Sequence, residues 1–457
     1  MSYVGRSAEE RAKMLAFLGA KEFEDLLEDM PDALRLHGAL DVPPAATELE
    51  LRAEIGALAA KNDAAREMPS FLGGGMYDHY IPSALPRVAL RSEFMTAYTP
   101  YQPEVAQGTL QVIFEFQSMI AALTGLPVAN ASVYDGASAV VEAAYLARNQ
   151  TGRKGIVVAG ALHPHYEGAL RTFMGSDHVR HVAFDKETAT TGVEAVQTVL
   201  DGDAACLIFQ YPNFLGALED VSALCAAAKS AGALAVVVSD PVALAILTPP
   251  GELGADLCVG EAQSLGAPIS YGGPACGFFA GRKEFVRRFP GRIVGQTVDG
   301  HGRRGFVLTL QTREQHIRRE KATSNICTNQ GLIALMNTID LALLGKEGLV
   351  DVATLCFQKT HYASQRAREV AGVNPAFSGP FVREVALRLP AGTTAAEAVR
   401  RGRDSGFLLG VDGAVLGDAT KDVLLVAATE KRTKTEIDGW ADALARAVGA
   451  GGKGGRA

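Results

Sequence analysis

Short β-branched runs alternate with helical stretches between about residues 110 and 290, and this alternation is the strongest hydrophobic pattern in the chain. A long helix is predicted over Leu110–Leu123, and Val221–Ala231 is one of the helical stretches that separate the strands. Such alternation indicates a mostly parallel sheet covered by helices on both faces. The predicted strands are Val128–Val133, Gly155–Ala159, Val179–Phe184, Ala205–Gln210, Leu234–Ser239, Asp256–Val259 and Gly277–Ala280.

The N-terminal segment carries helical signals only. Ser7-Ala-Glu-Glu10 has the S-x-x-E capping-box pattern in front of apolar residues at helical spacing. A second amphipathic stretch contains Leu51, Ile55 and Leu58. Residues 1–65 are therefore predicted to form a helical arm.

The C-terminal third predicts a smaller α/β unit behind a long helical stretch that begins beyond Thr328. We expect a large domain over residues 66–330, a small domain over 331–448 and a disordered tail over 449–457. This organisation favours a fold-type-I architecture, the fold of transferases that depend on pyridoxal phosphate (PLP). The small domain is predicted to alternate strands Val382–Leu389 and Val423–Ala428 with helices Thr394–Asp404 and Lys434–Val448.

Composition excludes several classes of protein. The 457 residues are 48% hydrophobic and carry a net charge of −7 without a basic stripe, which argues against nucleic-acid binding. The apolar run Ala235–Leu247 is interrupted by Asp240 and is too short to cross a membrane. The start lacks the apolar core of a secretory signal, and the six scattered cysteines form no C-x-x-C pair. We therefore expect a cytoplasmic protein with reduced thiols and no metal centre.

A lysine is missing where a PLP enzyme of this fold would carry one. No lysine occurs between Lys229 and Lys283, and Gln263 stands at the expected position in the loop Gly260–Gly266. Glutamine cannot form an imine because its amide nitrogen is neither basic nor nucleophilic. Schiff-base chemistry is therefore excluded at Gln263. The sequence also lacks the motifs of two other α/β sites. It has neither the G-x-G-x-x-G segment after a first strand that binds dinucleotides nor the G-x-x-x-x-G-K-[ST] phosphate-binding loop.

Three further residues mark a candidate cofactor pocket, each with a structural alternative. Asp135 opens a predicted helix and suits either a phosphate site or an ordinary helix N-cap. His163 follows a strand end and either stacks on a ring or is a hydrogen-bonded loop histidine. Asp240 ends a strand and either pairs with a pyridinium nitrogen or terminates a turn.

A rigid polar-aromatic loop, Thr96–Gly108, presents two tyrosines and two glutamines between prolines. Such chemistry is unusual for a surface connection and predicts a functional or interface role.

Several motifs together resemble the P-protein of the glycine cleavage system, the decarboxylating glycine dehydrogenase, and in particular the α subunit of its split two-subunit form. The resemblance covers nearly the whole chain and is weakest in the N-terminal arm and the tail. The motifs are Thr96–Glu104 (TAYTPYQPE), Asn130-Ala-Ser132 before Tyr134-Asp-Gly-Ala137, Pro212–Asp220, Gly260–Gly266 (GEAQSLG), Gly302–Phe306 and Ser324–Asn329.

The resemblance implies an α2β2 complex in which only the β subunit holds PLP, and no cofactor bound covalently by this chain. It implies that the complex decarboxylates glycine and passes the aminomethyl group to the lipoyl group of the H-protein, while this chain is inactive alone. Tyr98, Tyr101 and Gln102 are expected to reach the partner's PLP site, with the loop Gly73–His79 as a second candidate. The degenerate pocket of this chain is expected to hold no cofactor. The residues that mark it are Asp135, His163 and Asp240.

Two other hypotheses stay open. The chain could be a PLP enzyme in its own right that uses Lys229 or Lys283, although neither lies in the expected loop. It could also be a non-catalytic scaffold or regulatory paralogue. The polar-aromatic loop argues against a pure scaffold, which has no need of it.

Overall fold

The computed structural model describes residue 5 and residues 7–65, 67–95 and 98–449. These residues form two compact units that divide after Asp63. The first unit contains helices α1 (Ala8–Phe17) and α2 (Glu48–Ala59). The predicted capping box is present, since Ser7 Oγ accepts from Glu10 N and the Glu10 carboxylate accepts from Ser7 N. Neither helix has a buried residue.

The second unit holds the other helices and strands of the described chain. Its helices are α3 (Ala84–Ala89), α4 (Ser92–Met95), α5 (Gln107–Thr124), α6 (Gly136–Thr151), α7 (Pro164–Met174), α8 (Val193–Val199), α9 (Val221–Ser230), α10 (Gln315–Arg318), α11 (Gly331–Arg368), α12 (Ala395–Asp404) and α13 (Lys434–Ala447). Its strands are β1 (Val128–Ala129), β2 (Gly155–Ala159), β3 (Val179–Val182), β4 (Ala204–Tyr211), β5 (Leu234–Ser239), β6 (Leu257–Glu261), β7 (Gly277–Gly281), β8 (Ile293–Val298), β9 (Arg304–Thr309), β10 (Asn374–Pro375), β11 (Glu384–Arg388), β12 (Val411–Asp412) and β13 (Val423–Ala427).

The predicted mostly parallel sheet is confirmed as a seven-stranded sheet in the order β1-β7-β6-β5-β4-β2-β3. Strands β2 to β6 pair in parallel, whereas β7 and β1 add antiparallel pairings at one side. Alternate residues of β2 enter different cores: Ile156 and Val158 pack with α6, and Val157 packs with α9. Both faces of the sheet are therefore covered, as the apolar strands require.

The prediction of one strand over Val128–Val133 is wrong in its length, because β1 ends at Ala129. Ser132 has a φ of 116°, which a strand cannot contain. The Asn130 side chain accepts from Ser132 N at 3.1 Å, and Ala131 N donates to Arg292 O at 2.9 Å. The chain thus bulges out of the sheet at Ala131 and Ser132 to contact the segment that leads into β8, and it pairs with β7 again at Val133, which bridges to Gly277.

The hairpin of β8 and β9 was not predicted from the sequence. Its pairs run from Ile293 with Thr309 to Val298 with Arg304. The hairpin packs on α5, where Gln107 holds it by accepting from Phe306 N at 2.8 Å and donating to Phe306 O at 2.9 Å.

A second, four-stranded antiparallel sheet, β10-β11-β13-β12, forms the small C-terminal layer behind α11. Helix α11 is interrupted at Gly345, whose φ is 64°. The core of this layer surrounds Trp440, which donates to Leu409 O at 3.0 Å and stacks on Phe71 with ring centroids 5.1 Å apart. Residues near Phe71, which the sequence pattern assigned to the large domain, therefore pack with the small sheet.

Five of the six free cysteines are buried, whereas Cys327 is exposed. Among the described residues, no helix combines the length and apolarity needed to span a bilayer. The predicted tail lies outside the described residues from position 450 onward.

Candidate functional site

The carboxyl ends of the parallel strands meet at one edge of the large sheet, where ligands bind in open α/β folds. Residues at the ends of β4, β5 and β6 and beyond β2 line a cavity of about 40 Å³ there, together with the loop of Gly75 and Tyr77 and with Arg383 and Glu384 at the start of β11. A drug-sized ligand needs about 300–1,000 Å³, and a single water needs only about 10–15 Å³ of such space. The side chains that matter most are Tyr77, His163, Asp240, Glu261, Arg383 and Glu384.

Gln263 lies two residues beyond β6 and is 1% exposed. Its Oε1 accepts from Tyr77 N at 3.1 Å, while its Nε2 donates to Tyr77 O at 3.3 Å and to Ala267 O at 2.6 Å. Each polar atom of the amide is therefore used in holding two backbone segments together. A lysine could not replace it in this role, since an ammonium group has donors but no acceptor.

Asp240 does lie in the cavity, as expected, but its carboxylate forms an ion pair with Arg383 Nε. Arg383 is 3% exposed, and its Cζ lies 3.5 Å from the centroid of the Tyr77 ring. Burial opposes the charge of Arg383, yet the attraction of Asp240 raises the pKa of the guanidinium. A pyridinium partner at Asp240 would have to displace this cation.

Arg383 belongs to a buried hydrogen-bond network that also contains His79 and Glu430. Its Nη1 donates to His79 Nε2 at 2.8 Å, so the other ring nitrogen of His79 carries the proton and donates to Glu430 at 2.6 Å. Burial raises the pKa of Glu430, but the hydrogen bonds that its carboxylate accepts from His79 and from Tyr80 N outweigh burial and hold the pKa at about 2.

Cys356 lies beside these hydrogen-bonded side chains, and His79, Cys356 and Glu430 are close enough to share a metal ion. Both nitrogens of His79 are already engaged, however, and the guanidinium of Arg383 contacts the same imidazole. The like charge of Arg383 disfavours a cation at this point.

Glu384 closes the other side of the cavity. Its carboxylate accepts from Tyr77 Oη at 2.9 Å and from Gly74 N at 2.8 Å. Burial raises the pKa of Glu384 to about 6, against the lowering effect of these two bonds. The loop Gly73–His79 thus directs Tyr77 into this cavity and His79 onto Arg383.

His163 also lies in the cavity, and its alternatives are resolved by its contacts. It stacks on Tyr166 of its own chain, with ring centroids 4.4 Å apart and planes at 18°. Its Nδ1 accepts from His165 N at 3.1 Å and its Nε2 donates to Gly74 O at 2.9 Å. Burial, followed by the neighbouring His165, lowers the pKa of His163 to about 4. His163 is therefore a neutral, satisfied N-cap of α7.

Asp135 is the N-cap of α6, and its Oδ1 accepts from Ser138 N at 2.6 Å. Glu261 Oε2 accepts from Gly136 N at 3.0 Å, and burial raises the pKa of this carboxyl. Two carboxylates therefore take the amides that a phosphate would use at this helix end. Their charge opposes the phosphate-site interpretation of Asp135.

The polar-aromatic loop lies on the surface. Tyr98 is 84% exposed, Tyr101 is 48% exposed, and Gln102 is exposed. Tyr101 Oη accepts from Arg292 Nη2 at 2.9 Å, which fixes this ring to the segment before β8. Thr96 and Ala97, at the start of the motif, lie outside the described residues.

Motif segments that are distant in the chain meet next to this loop. Asn329 Nδ2 donates to Ala131 O at 3.0 Å and to Ser132 Oγ at 3.1 Å. Cys327 N donates to Tyr134 Oη at 3.3 Å. The segments Asn130–Tyr134 and Ser324–Asn329 thus pack together, and Ala131 N connects them to Arg292, the residue that holds Tyr101.

Sequence reasoning placed His163 and Asp240 in the cavity, but it missed the residues that fill it. Arg383 and Glu384 come from another part of the chain and have no local motif, whereas Tyr77 lies in the loop Gly73–His79, which was named only as a candidate for the partner's site. The absence of a lysine near Gln263 was the one sequence feature that predicted a pocket different from that of a PLP enzyme.

Comparison with known proteins gives a consistent result. Residues 1–444 match the family model described as "Glycine cleavage system P-protein". A protein from Chlorobaculum parvum named "Probable glycine dehydrogenase (decarboxylating) subunit 1" is 48% identical over 446 residues, covering 97% of this chain and 99% of that protein. A relative with the same name from Geobacillus thermodenitrificans is 45% identical, covering 97% of this chain and 98% of its own length.

Solved structures agree. A crystal structure of glycine decarboxylase (P-protein) of the glycine cleavage system, in inhibitor-bound form, has a TM-score of 0.87 and 42% identity, and the match covers 98% of this chain and 100% of that one. The glutamate decarboxylase of Lactobacillus brevis shares 10% identity with a TM-score of 0.68, covering 93% of this chain and 97% of that one. This second likeness concerns the fold alone and confirms the fold-type-I class.

Proposed function

The chain belongs to the glycine cleavage system P-protein family, and we propose that it is subunit 1 of a two-subunit glycine dehydrogenase (decarboxylating) that forms no Schiff base itself. In this proposal a partner β subunit holds PLP, and the assembled α2β2 complex decarboxylates glycine. The aminomethyl group is then passed to the lipoyl group of the H-protein. The chain alone is inactive.

The observation that carries the proposal is the state of the cavity lined by Glu261 and Ser264, the neighbours of Gln263. The described residues that line it include no lysine, and its volume of about 40 Å³ is far below that of a cofactor pocket. Arg383 forms an ion pair with the carboxylate of Asp240, and the side chain of Gln263 is hydrogen-bonded to the backbone of Tyr77 and Ala267. These residues do not fit PLP, so no step of the reaction is assigned to a cofactor in this chain.

Two exposed features support a protein partner. The loop with Tyr98 and Tyr101 presents phenol groups at the surface, where they could complete a neighbouring site. The first unit also exposes large apolar side chains, including Phe17 at 89% and Leu49 at 80%. Apolar surface of this kind marks protein interaction sites in soluble proteins.

The test is borohydride reduction of the full chain with PLP, read by intact mass, alongside a glycine decarboxylation assay. We expect no stable adduct and no activity until a lysine-bearing subunit 2 is added. A stoichiometric adduct on one lysine of this chain, for example Lys229 or Lys283, would contradict the proposal and make the chain a PLP enzyme in its own right.

The same assay distinguishes the scaffold hypothesis from the proposed function. If subunit 2 decarboxylates glycine equally well with and without this chain, the scaffold or regulatory hypothesis replaces the proposed one. If activity requires both chains, this subunit contributes to the catalytic complex.

A further inference from the structure

A second, larger cavity of about 270 Å³ lies apart from the one lined by Asp240 and Arg383, next to the segment that follows β9. None of its lining residues also lines the first cavity. Guanidinium groups and hydroxyls dominate its wall, and no carboxylate lines it. The polar lining residues are Arg287, Arg288, Thr312, Arg313, Arg318 and Thr323.

Arg313 forms the base of this cavity and is 9% exposed. Its guanidinium donates to three backbone carbonyls, those of Leu310 at 3.1 Å, Gly291 at 2.8 Å and Phe289. Carbonyls fix its position but do not neutralise its charge. Burial accordingly lowers the pKa of Arg313. A cation so placed favours an anion in the adjoining space.

The other three arginines add charge without compensation. Across the described ranges, neither Arg287, Arg288 nor Arg318 has a carboxylate within ion-pair distance, whereas nearby Arg282 pairs with Asp256 at 3.1 Å. Among the described residues, Glu284 and Glu320, the nearest acidic residues in sequence, form no ion pair with these arginines. Glu314, whose charge opposes the effect of burial on the pKa of Arg313, is turned to His316 at 3.5 Å. Unpaired like charges repel one another, so gathering them is unfavourable until an anion binds.

The backbone that carries these residues has a defined and unusual shape. Leu310 and Arg319 adopt φ values of 56° and 54°, a region that residues other than glycine rarely occupy. These two positions bracket the segment that contributes Thr312, Arg313 and Arg318. The hydrogen bonds of Arg313 to Phe289 and Gly291 attach this segment to the turn that follows Arg287 and Arg288.

We propose that this arginine cavity binds a small phosphate-bearing molecule with at least two negative charges. Guanidinium forks match the oxygen geometry of phosphate and bind it bidentately. Threonine hydroxyls supply further donors. A volume of about 270 Å³ accommodates more than one phosphoryl group, so the site is suited to a diphosphate or a phosphate ester. The site is independent of the proposed catalytic role.

The test is calorimetric titration of the full chain with pyrophosphate, with chloride used to match ionic strength. We expect one site per chain, weakened about tenfold by Arg288→Ala and by Arg318→Ala, since each removes a charge-assisted hydrogen bond. Arg400→Ala is the matched control. It removes an exposed arginine of α12 that lies outside the cavity, and pyrophosphate affinity should be unchanged.

Absence of saturable pyrophosphate binding would overturn the proposal. An equal loss of affinity in Arg400→Ala would also overturn it, because the binding would then reflect net charge rather than this cavity. The titration is repeated with the partner subunit present. Retained binding supports a ligand site, whereas complete loss would mean that the cavity is a contact surface for the partner and not a ligand site.

Discussion

Gln263 and Tyr77 are joined by a reciprocal pair of hydrogen bonds between one side-chain amide and one backbone unit, at 3.1 and 3.3 Å. Gln263 therefore has a structural role in this chain. It fixes the loop that carries Tyr77 over the cavity, and Tyr77 in turn contacts Arg383 and Glu384. The hydrogen bonds of Gln263 and the closure of the pocket are parts of one arrangement.

Replacing Gln263 with leucine should reduce the free energy of unfolding by about 2–4 kcal/mol, because it leaves buried backbone groups of Tyr77 and Ala267 without partners. Denaturant unfolding measures the change. The control is Gln197→Leu on the exposed surface of α8, which should change stability by less than about 0.5 kcal/mol. Equal effects of the two substitutions would show that the Gln263 amide has no special structural role.

Breaking the buried pair of Arg383 and Asp240 should be strongly destabilising. Arg383→Met leaves a carboxylate without its counter-ion and should cost about 3–5 kcal/mol. The double variant Arg383→Met/Asp240→Asn removes both charges and should recover part of that loss. A double-mutant cycle on unfolding free energies measures the coupling. Strictly additive effects of the two changes would argue against a direct interaction in solution.

Glu142 of α6 predicts a pH dependence of stability. Burial raises the pKa of Glu142 to about 7, although a hydrogen bond from Ser324 opposes the shift. The folded state therefore holds the proton more tightly than the unfolded state. This contribution to stability is complete below about pH 4.5 and is lost as the pH rises through about 7.

The glutamine variant Glu142→Gln isolates this contribution. Its free energy of unfolding, compared with that of the wild-type chain, should improve by about 2–3 kcal/mol between pH 5 and pH 8. Urea unfolding at the two pH values provides the measurement. A difference that stays constant with pH would show that Glu142 titrates near its ordinary value.

Tyr101→Phe tests the exposed polar-aromatic loop in the assembled complex. The change removes the hydroxyl that accepts from Arg292, and we expect lower glycine turnover or weaker PLP retention by the complex, by roughly tenfold if one hydrogen bond at the site is lost. Tyr362→Phe is the matched control. It removes a phenol that donates to Asp438 at 2.7 Å in the small C-terminal layer. Unchanged turnover and PLP retention in Tyr101→Phe would remove the loop from the proposed site.

Much of the fold was determined by local sequence pattern. Strands such as Leu234–Ser239 and Gly155–Ala159 were predicted with their observed bounds, because continuous apolar runs can only be buried strands or helices and their length favours strands. A helix opened by Asp135, which is now α6, was also predicted from the sequence, with an N-cap as one of the two roles considered for Asp135. The length of β1 was not, because its end depends on the contact of Ala131 with Arg292, more than a hundred residues away.

The sequence by itself determined one point about chemistry: glutamine at position 263 cannot form an imine. Only the tertiary structure decided what the surrounding residues do. Arg383 carries no local motif, and its ion pair with Asp240 exists because the small sheet packs against the edge of the large one. Arg288 and Arg318 belong to isolated basic pairs in the sequence, yet the fold brings them to one cavity. Periodicity reports which face of an element is buried, but a buried ion pair or a shared charge depends on distances between segments that no local pattern records.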